Sequence, residues 1–178
     1  MADTSNGLMY GVAAVKFKPS SGEEKTLGWL DQNGMQPAGS APTFLEVFAA
    51  QVMDGAVDSI MTNPGSDAFT MNLIKLDAQS MVDVFGGKKG TNGSYTPPTT
   101  FVSTGVLTIS MHSGHSFRIF NARLSKNGWQ NGINMQNVLA MGIRVDMLKP
   151  TDGKERRFRM YSPGEDPDET DTTEDAAG

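Results

Sequence analysis

Apolar residues recur with a period of two along several stretches of this chain, and that period constrains the fold more than any other feature. In residues 106–111, Leu107, Ile109 and Met111 share one side of an extended backbone, while Val106, Thr108 and Ser110 share the other. Residues 142–148 place Ile143, Val145 and Met147 opposite Arg144 and Asp146. Phe69, Met71 and Leu73 alternate in the same way. Residues 117–124 carry two partly apolar sides, Phe117 with Ile119 and Phe120 with Ala122 and Leu124. Alternate side chains of a strand point to opposite faces, so these patterns predict half-buried antiparallel strands. Residues 11–18 and 26–30 read as a further hairpin around Pro19, Ser20, Ser21 and Gly22, types that favour turns.

One segment breaks the period. Asp77 is a good N-cap, and Met81, Val84 and Phe85 follow at helical spacing before Gly86 and Gly87. A carboxylate can accept from the free N–H groups of a first turn, and glycine tolerates the backbone that ends a helix. The expected class is therefore mainly β, an antiparallel β-sandwich or barrel with one short flanking α-helix. Met71, Met81, Met111, Met141 and Met147 fall in apolar patterns and read as core filling, as does Trp29.

Three breaks interrupt the strand pattern. Residues 31–42 hold Asn33-Gly34 and two prolines, residues 86–98 hold Gly86-Gly87, Lys88-Lys89, Asn92-Gly93 and Pro97-Pro98, and Asn127-Gly128 and Asn131-Gly132 surround Trp129. The first two read as loops about a dozen residues long, a length usually tied to a function or a partner. Strand-like sequence resumes on both sides of each, so none is a domain linker. No internal repeat is present.

Charge divides the chain. From residue 162 to 178 there are seven acids and no base, which leaves 13 acids against 15 Lys and Arg in the remainder, or about +2. The expected organisation is one domain over residues 1–161 and an acidic, solvated, disordered tail over 162–178, since an aromatic-free acidic stretch buries too little apolar surface to fold alone. No apolar run approaches the length of a membrane-spanning helix. Residues 1–6 are polar, carry Asp3, and are not expected to act as a secretory signal. The chain has no cysteine, so it holds neither a disulfide nor a thiolate nucleophile or ligand.

Chemistry-bearing patterns are sparse. His112 and His115 lie three residues apart, yet no nearby carboxylate completes a ligand set, and Ser113-Gly114 between them predicts a turn. Gly-x-Ser-x-Gly is absent. The Gly86–Gly90 stretch lacks the spacing of a phosphate-cradling loop. Lys154, Arg156, Arg157 and Arg159 form a short basic cluster beside the acidic tail, too small for a broad nucleic-acid interface. No catalytic, cofactor-binding or metal-ligating residue is assigned, and no cofactor is expected.

The order of elements carries a resemblance. A strand opens at Ala41-Pro42-Thr43-Phe44-Leu45-Glu46, a turn follows at Asn63-Pro64-Gly65, and a strand covers residues 67–76. Next come the helix ending in Phe85-Gly86-Gly87, a hairpin of residues 106–110 with 116–124, and a last strand over 138–149 that stops at Pro150. Over residues 11–150 this resembles the tail tube proteins, or major tail proteins, of long-tailed bacteriophages. The resemblance implies a virion protein made in the host cytoplasm. Six copies form a ring, their strands join into a barrel, and rings stack with one another and with other tail proteins. The genome passes through the lumen without specific binding, so few basic groups are expected there. The resemblance implies no catalytic residue, no membrane partner, and no role for the acidic tail. Two other readings compete: a carbohydrate- or ligand-binding β-sandwich module, using Trp29, Trp129 and Tyr95, and another virion connector protein.

Overall fold

In the computed structural model, which describes residues 7–150, 153 and 156–168, the alternating stretches pair into a mainly β, antiparallel protein. In chain order the strands are β1 (Val12–Pro19), β2 (Lys25–Thr26), β3 (Leu30–Pro37), β4 (Thr43–Val47), β5 (Asp58–Asn63) and β6 (Ala68–Leu73). Helix α1 (Ala78–Phe85) comes next, then β7 (Lys88–Lys89), β8 (Tyr95–Thr96), β9 (Val102–Met111), β10 (Ser116–Gln130), β11 (Ala140–Met147) and β12 (Phe158–Tyr161).

One eight-stranded sheet dominates, in the order β2-β1-β9-β10-β11-β6-β3, with β12 paired to β10. The 15-residue β10 organises it. Along one edge it pairs with β9, and along the other with β12 at Ser116–Ile119 and then with β11 from Ala122 onward. The sheet curls until its ends nearly meet. Leu27 N–H donates to the Val15 carbonyl of β1 at 2.8 Å, and two residues later the Trp29 carbonyl accepts from Ile74 N–H just beyond β6 at 2.8 Å. A single short crossing therefore joins the two ends, and the ladder does not close into a barrel.

Most inward positions are those the alternation predicts, but Ile119 and Leu124, on opposite sides by count, both turn inward because the β9–β10 register shifts between Ile119 and Ala122. Phe17, Leu73, Leu107, Ile119, Leu124, Ile143 and Val145 are fully buried in one cluster. Each such side chain stabilises the fold by about 1.5–3 kcal/mol relative to exposure. Met71, Met81, Met141 and Met147 join them, and Met111 packs partly buried against the cluster. Helix α1 covers one end of the core with Met81, Val84 and Phe85. Asp77 caps it, accepting from Gln79 N–H at 3.1 Å and Ser80 N–H at 3.0 Å. Lys25 of β2 reaches Asp83 and ties the helix to the sheet.

The breaks behave differently from expectation. Residues 31–42 are not an open loop: β3 runs through Asn33-Gly34, where the register shifts and Gly34 adopts φ 61°. The same happens at Asn127-Gly128 inside β10, with Gly128 at φ 80°. In both places the dipeptide supplies a left-handed residue for a β-bulge within a strand, not a turn that ends one. Residues 86–98 close on themselves as the small β7–β8 hairpin, held by Tyr95 Oη donating to the Gly86 carbonyl at 3.0 Å. Trp29 is not core. Its side chain is 75% exposed, because Leu27 and Leu30 take the inward positions of the crossing.

The described part of the acidic tail, 162–168, is largely exposed yet touches the sheet. Asp168 bonds Arg118 at 2.7 Å, which gives the segment an electrostatic anchor the composition did not reveal. Residues 169–178 lie outside the described residues.

Candidate assembly surface

Strands β4 and β5 form a two-stranded ribbon of their own, separate from the main sheet. Its neck is narrow. Ser40 and Ser66 exchange backbone hydrogen bonds at 2.8 and 2.9 Å, and their hydroxyls meet at 3.0 Å. Gly65, at φ 76°, sits so close to the other strand of the neck that a Cβ there would lie 2.5 Å from the Ser40 carbonyl oxygen. Only glycine fits that crossing.

Beyond the neck the ribbon is apolar on both sides. Phe44 faces Met61 across the ladder and Leu45 faces Ile60, so the two pairs occupy opposite faces. All four are more than half exposed. At the tip Phe48 is 66% exposed and Met53 is 96% exposed. The stretch 41–66 contains Glu46, Asp54 and Asp58 and no basic residue. An isolated two-stranded hairpin is marginal in water, and a contiguous apolar surface on one marks an interaction site. The sequence signal for it was present but different in kind. Phe44-Leu45 and Ile60-Met61 are adjacent apolar pairs that violate alternation, as a strand covered on both faces requires.

Other features of the surface point the same way. The main sheet ends in β2 on one side and β3 on the other, and the outer edge of β3 carries no further strand among the described residues. The turn between β10 and β11 exposes Ile133, Met135 and Val138. Trp129 is half exposed beside Lys126, whose ammonium lies 5.3 Å from the indole ring.

The chemistry-bearing groups of the sequence are spread over the fold. His112 and His115 occupy the β9–β10 turn, where Met111 N–H donates to the His115 carbonyl at 2.9 Å. His115 is buried with Nδ1 3.1 Å from Ser113 Oγ, and the ring of His112 packs on Gly11. Among the described residues no group of three or more His, Asp or Glu is placed to hold a metal ion. A cleft of about 720 Å³ opens between β1, the crossing at Leu27–Leu30 and β3. Its carboxylate, Asp31, is engaged by Asn72 Nδ2 at 2.9 Å and Asn33 N–H at 2.9 Å. Of the basic cluster, Lys154 lies outside the described residues. The remainder enters β12 and its approach: Arg156 lies 4.5 Å from the Phe120 ring centroid, Arg157 is 3.8 Å from Asp67, and Arg159 is 5.4 Å from the Tyr161 ring centroid.

One charged group has a clear electrostatic role in the sheet. Burial pulls the Asp146 carboxyl upward, but hydrogen bonds from Arg123 at 2.8 Å and Arg144 at 2.8 Å outweigh it and hold the group below its ordinary range. No helix among the described residues is long and apolar enough to cross a membrane. No protein-family model and no curated protein sequence matches this chain.

Proposed function

We propose that this protein is a structural subunit that assembles with copies of itself into stacked hexameric rings, the tail tube of a long-tailed bacteriophage. The observation that carries the self-assembly reading is the β4–β5 ribbon, apolar on both faces and tethered by a neck that holds it off its own sheet. A hydrophobic arm of this shape loses stability in water and gains it by packing on another molecule. A contact between unlike surfaces of identical copies closes into a ring when the rotation allows, or runs on into a filament. Unpaired ends of a sheet lend themselves to the same end, since edge strands pair with neighbouring chains unless something blocks them. The tube itself, its six copies and the passage of a genome come from the resemblance in element order. A glycan-binding module is the second reading, favoured by the outward-facing Trp29 and Trp129.

Native mass spectrometry with negative-stain microscopy separates the two. Six-fold rings or tubes that grow with protein concentration support the assembly. A monomer at all concentrations that binds a glycan, with binding lost on Trp29→Ala, overturns it.

A further inference from the structure

The main sheet has a polar face opposite its core, and one row of residues across it is unusually cationic. Lys16 of β1 pairs in register with Thr108 of β9, Thr108 with Arg118 of β10, and Arg118 with Arg159 of β12. Neighbouring strands lie about 4.8 Å apart, so three cations stand in a line that crosses four strands. Arg118 and Arg159 are direct cross-strand partners, an arrangement that like charges make unfavourable. The Arg118 side chain is also only 12% exposed, and a guanidinium withdrawn so far from water needs a counter-charge.

The acidic segment after β12 supplies it. Pro163 packs on Gly114 in the β9–β10 turn, where an added Cβ would lie 3.1 Å from the proline ring. Ser162 N–H donates to the Glu165 carboxylate at 2.9 Å, and Asp168 N–H to Asp166 Oδ1 at 2.9 Å, which turns the chain back across the face. Asp168 Oδ1 then meets Arg118 Nη1 at 2.7 Å. Asp166, Pro167 and Asp168 close over Lys16, Thr108, Ser110 and Ser116 around a space of only about 60 Å³, beside Glu24, whose carboxylate lies 3.3 Å from the Lys16 ammonium. Thr108 is 7% exposed on what would otherwise be an open polar face.

We propose that this segment is a tethered competitor, a run of carboxylates that occupies a cationic site built from Lys16, Arg118 and Arg159 and so keeps nucleic-acid phosphates off it. Guanidinium groups bind phosphate as readily as carboxylate, and a polyanion gains further from counterion release. The covering carboxylate of Asp168 is itself 67% exposed, so a competing anion reaches the ion pair directly. Residues 162–178 carry seven acids, and without their charge the chain shifts from −5 to about +2. The competition is a property of the sheet face and holds whether or not the chain assembles into a tube.

The test is a full-length variant with all seven carboxylates of residues 162–178 amidated, Asp to Asn and Glu to Gln. Its affinity for a short fluorescent DNA duplex of mixed sequence is measured by anisotropy over a salt series. The expected result is a gain of about tenfold or more over the unaltered chain, with a slope of log affinity against log salt near −3 for about three phosphate contacts. Adding Arg118→Gln and Arg159→Gln to that variant should remove the gain. An unchanged affinity in the amidated chain overturns the proposal, and so does a gain that survives loss of both arginines, which would reflect net charge alone. If the amidated chain does not fold, Asp168→Asn by itself carries the test. A gain of about two- to threefold, abolished by Arg118→Gln, supports the site, and no gain overturns it.

Discussion

Replacing Phe48 and Met53 together with serine should abolish assembly at concentrations where the unaltered chain assembles, while leaving the subunit folded. Both side chains sit at the ribbon tip, 66% and 96% exposed, and neither belongs to the core cluster. Full burial of such a residue stabilises an interface by about 1.5–3 kcal/mol, so the exposed fractions together offer about 4 kcal/mol per subunit contact. Packing across an interface is seldom complete, and half that figure is a sounder expectation, about 2 kcal/mol. At about 1.4 kcal/mol per factor of ten, the critical concentration should rise by about 30-fold, and by several hundredfold if burial is complete. The assay is sedimentation of assembled material over a concentration series, with thermal unfolding of the soluble subunit alongside. Surface substitutions remote from the core change stability by about 0.5 kcal/mol or less, so the melting temperature should barely move. An unchanged critical concentration would refute the ribbon's role in contacts between copies. A large drop in melting temperature would show that the tip packs on its own subunit.

Three further outcomes test the fold itself. Ile143→Ala empties a fully buried position and should cost roughly 3 kcal/mol, seen as a melting temperature lower by about 6–12 °C. Gly105→Ala would put a Cβ 2.1 Å from the Lys18 carbonyl oxygen and 2.8 Å from Pro19 Cα, forcing β1 from β9; calorimetry should show a loss of about 1–3 kcal/mol. Asp146 has a lowered carboxyl pKa in the folded chain, so its stabilisation is full above the unfolded value of about 3.9 and fades as pH falls through the folded value. Asp146→Asn should therefore destabilise by about 1–2 kcal/mol at neutral pH. The difference from the unaltered chain should shrink below about pH 4 in acid-titrated melts.

Local chemistry explains which elements were readable. Strand faces at Leu107, Ile109, Ile143 and Val145 follow from the two-residue period alone, because each strand is covered on one side by core and on the other by water or polar groups. The helix was readable because its signals are contained within a dozen residues: the Asp77 cap, the buried Met81, Val84 and Phe85, and the glycine end. Asn33-Gly34 and Asn127-Gly128 misled for a physical reason. A left-handed glycine serves a turn or a bulge equally well, and only the partner strand decides which.

The mainly β antiparallel class, most inward-facing residues and the single helix were thus legible in the sequence, since these depend on neighbours a few positions apart. Strand order was not, nor was the crossing at Leu27–Leu30 that brings the sheet ends together, nor the ribbon that stands off the sheet. Tertiary packing also turned Trp29 outward and laid Asp168 on Arg118, fifty positions earlier in the chain. Such pairings depend on which surfaces meet across long loops. Periodicity reports which side of a strand is apolar, and it carries no information about what lies opposite.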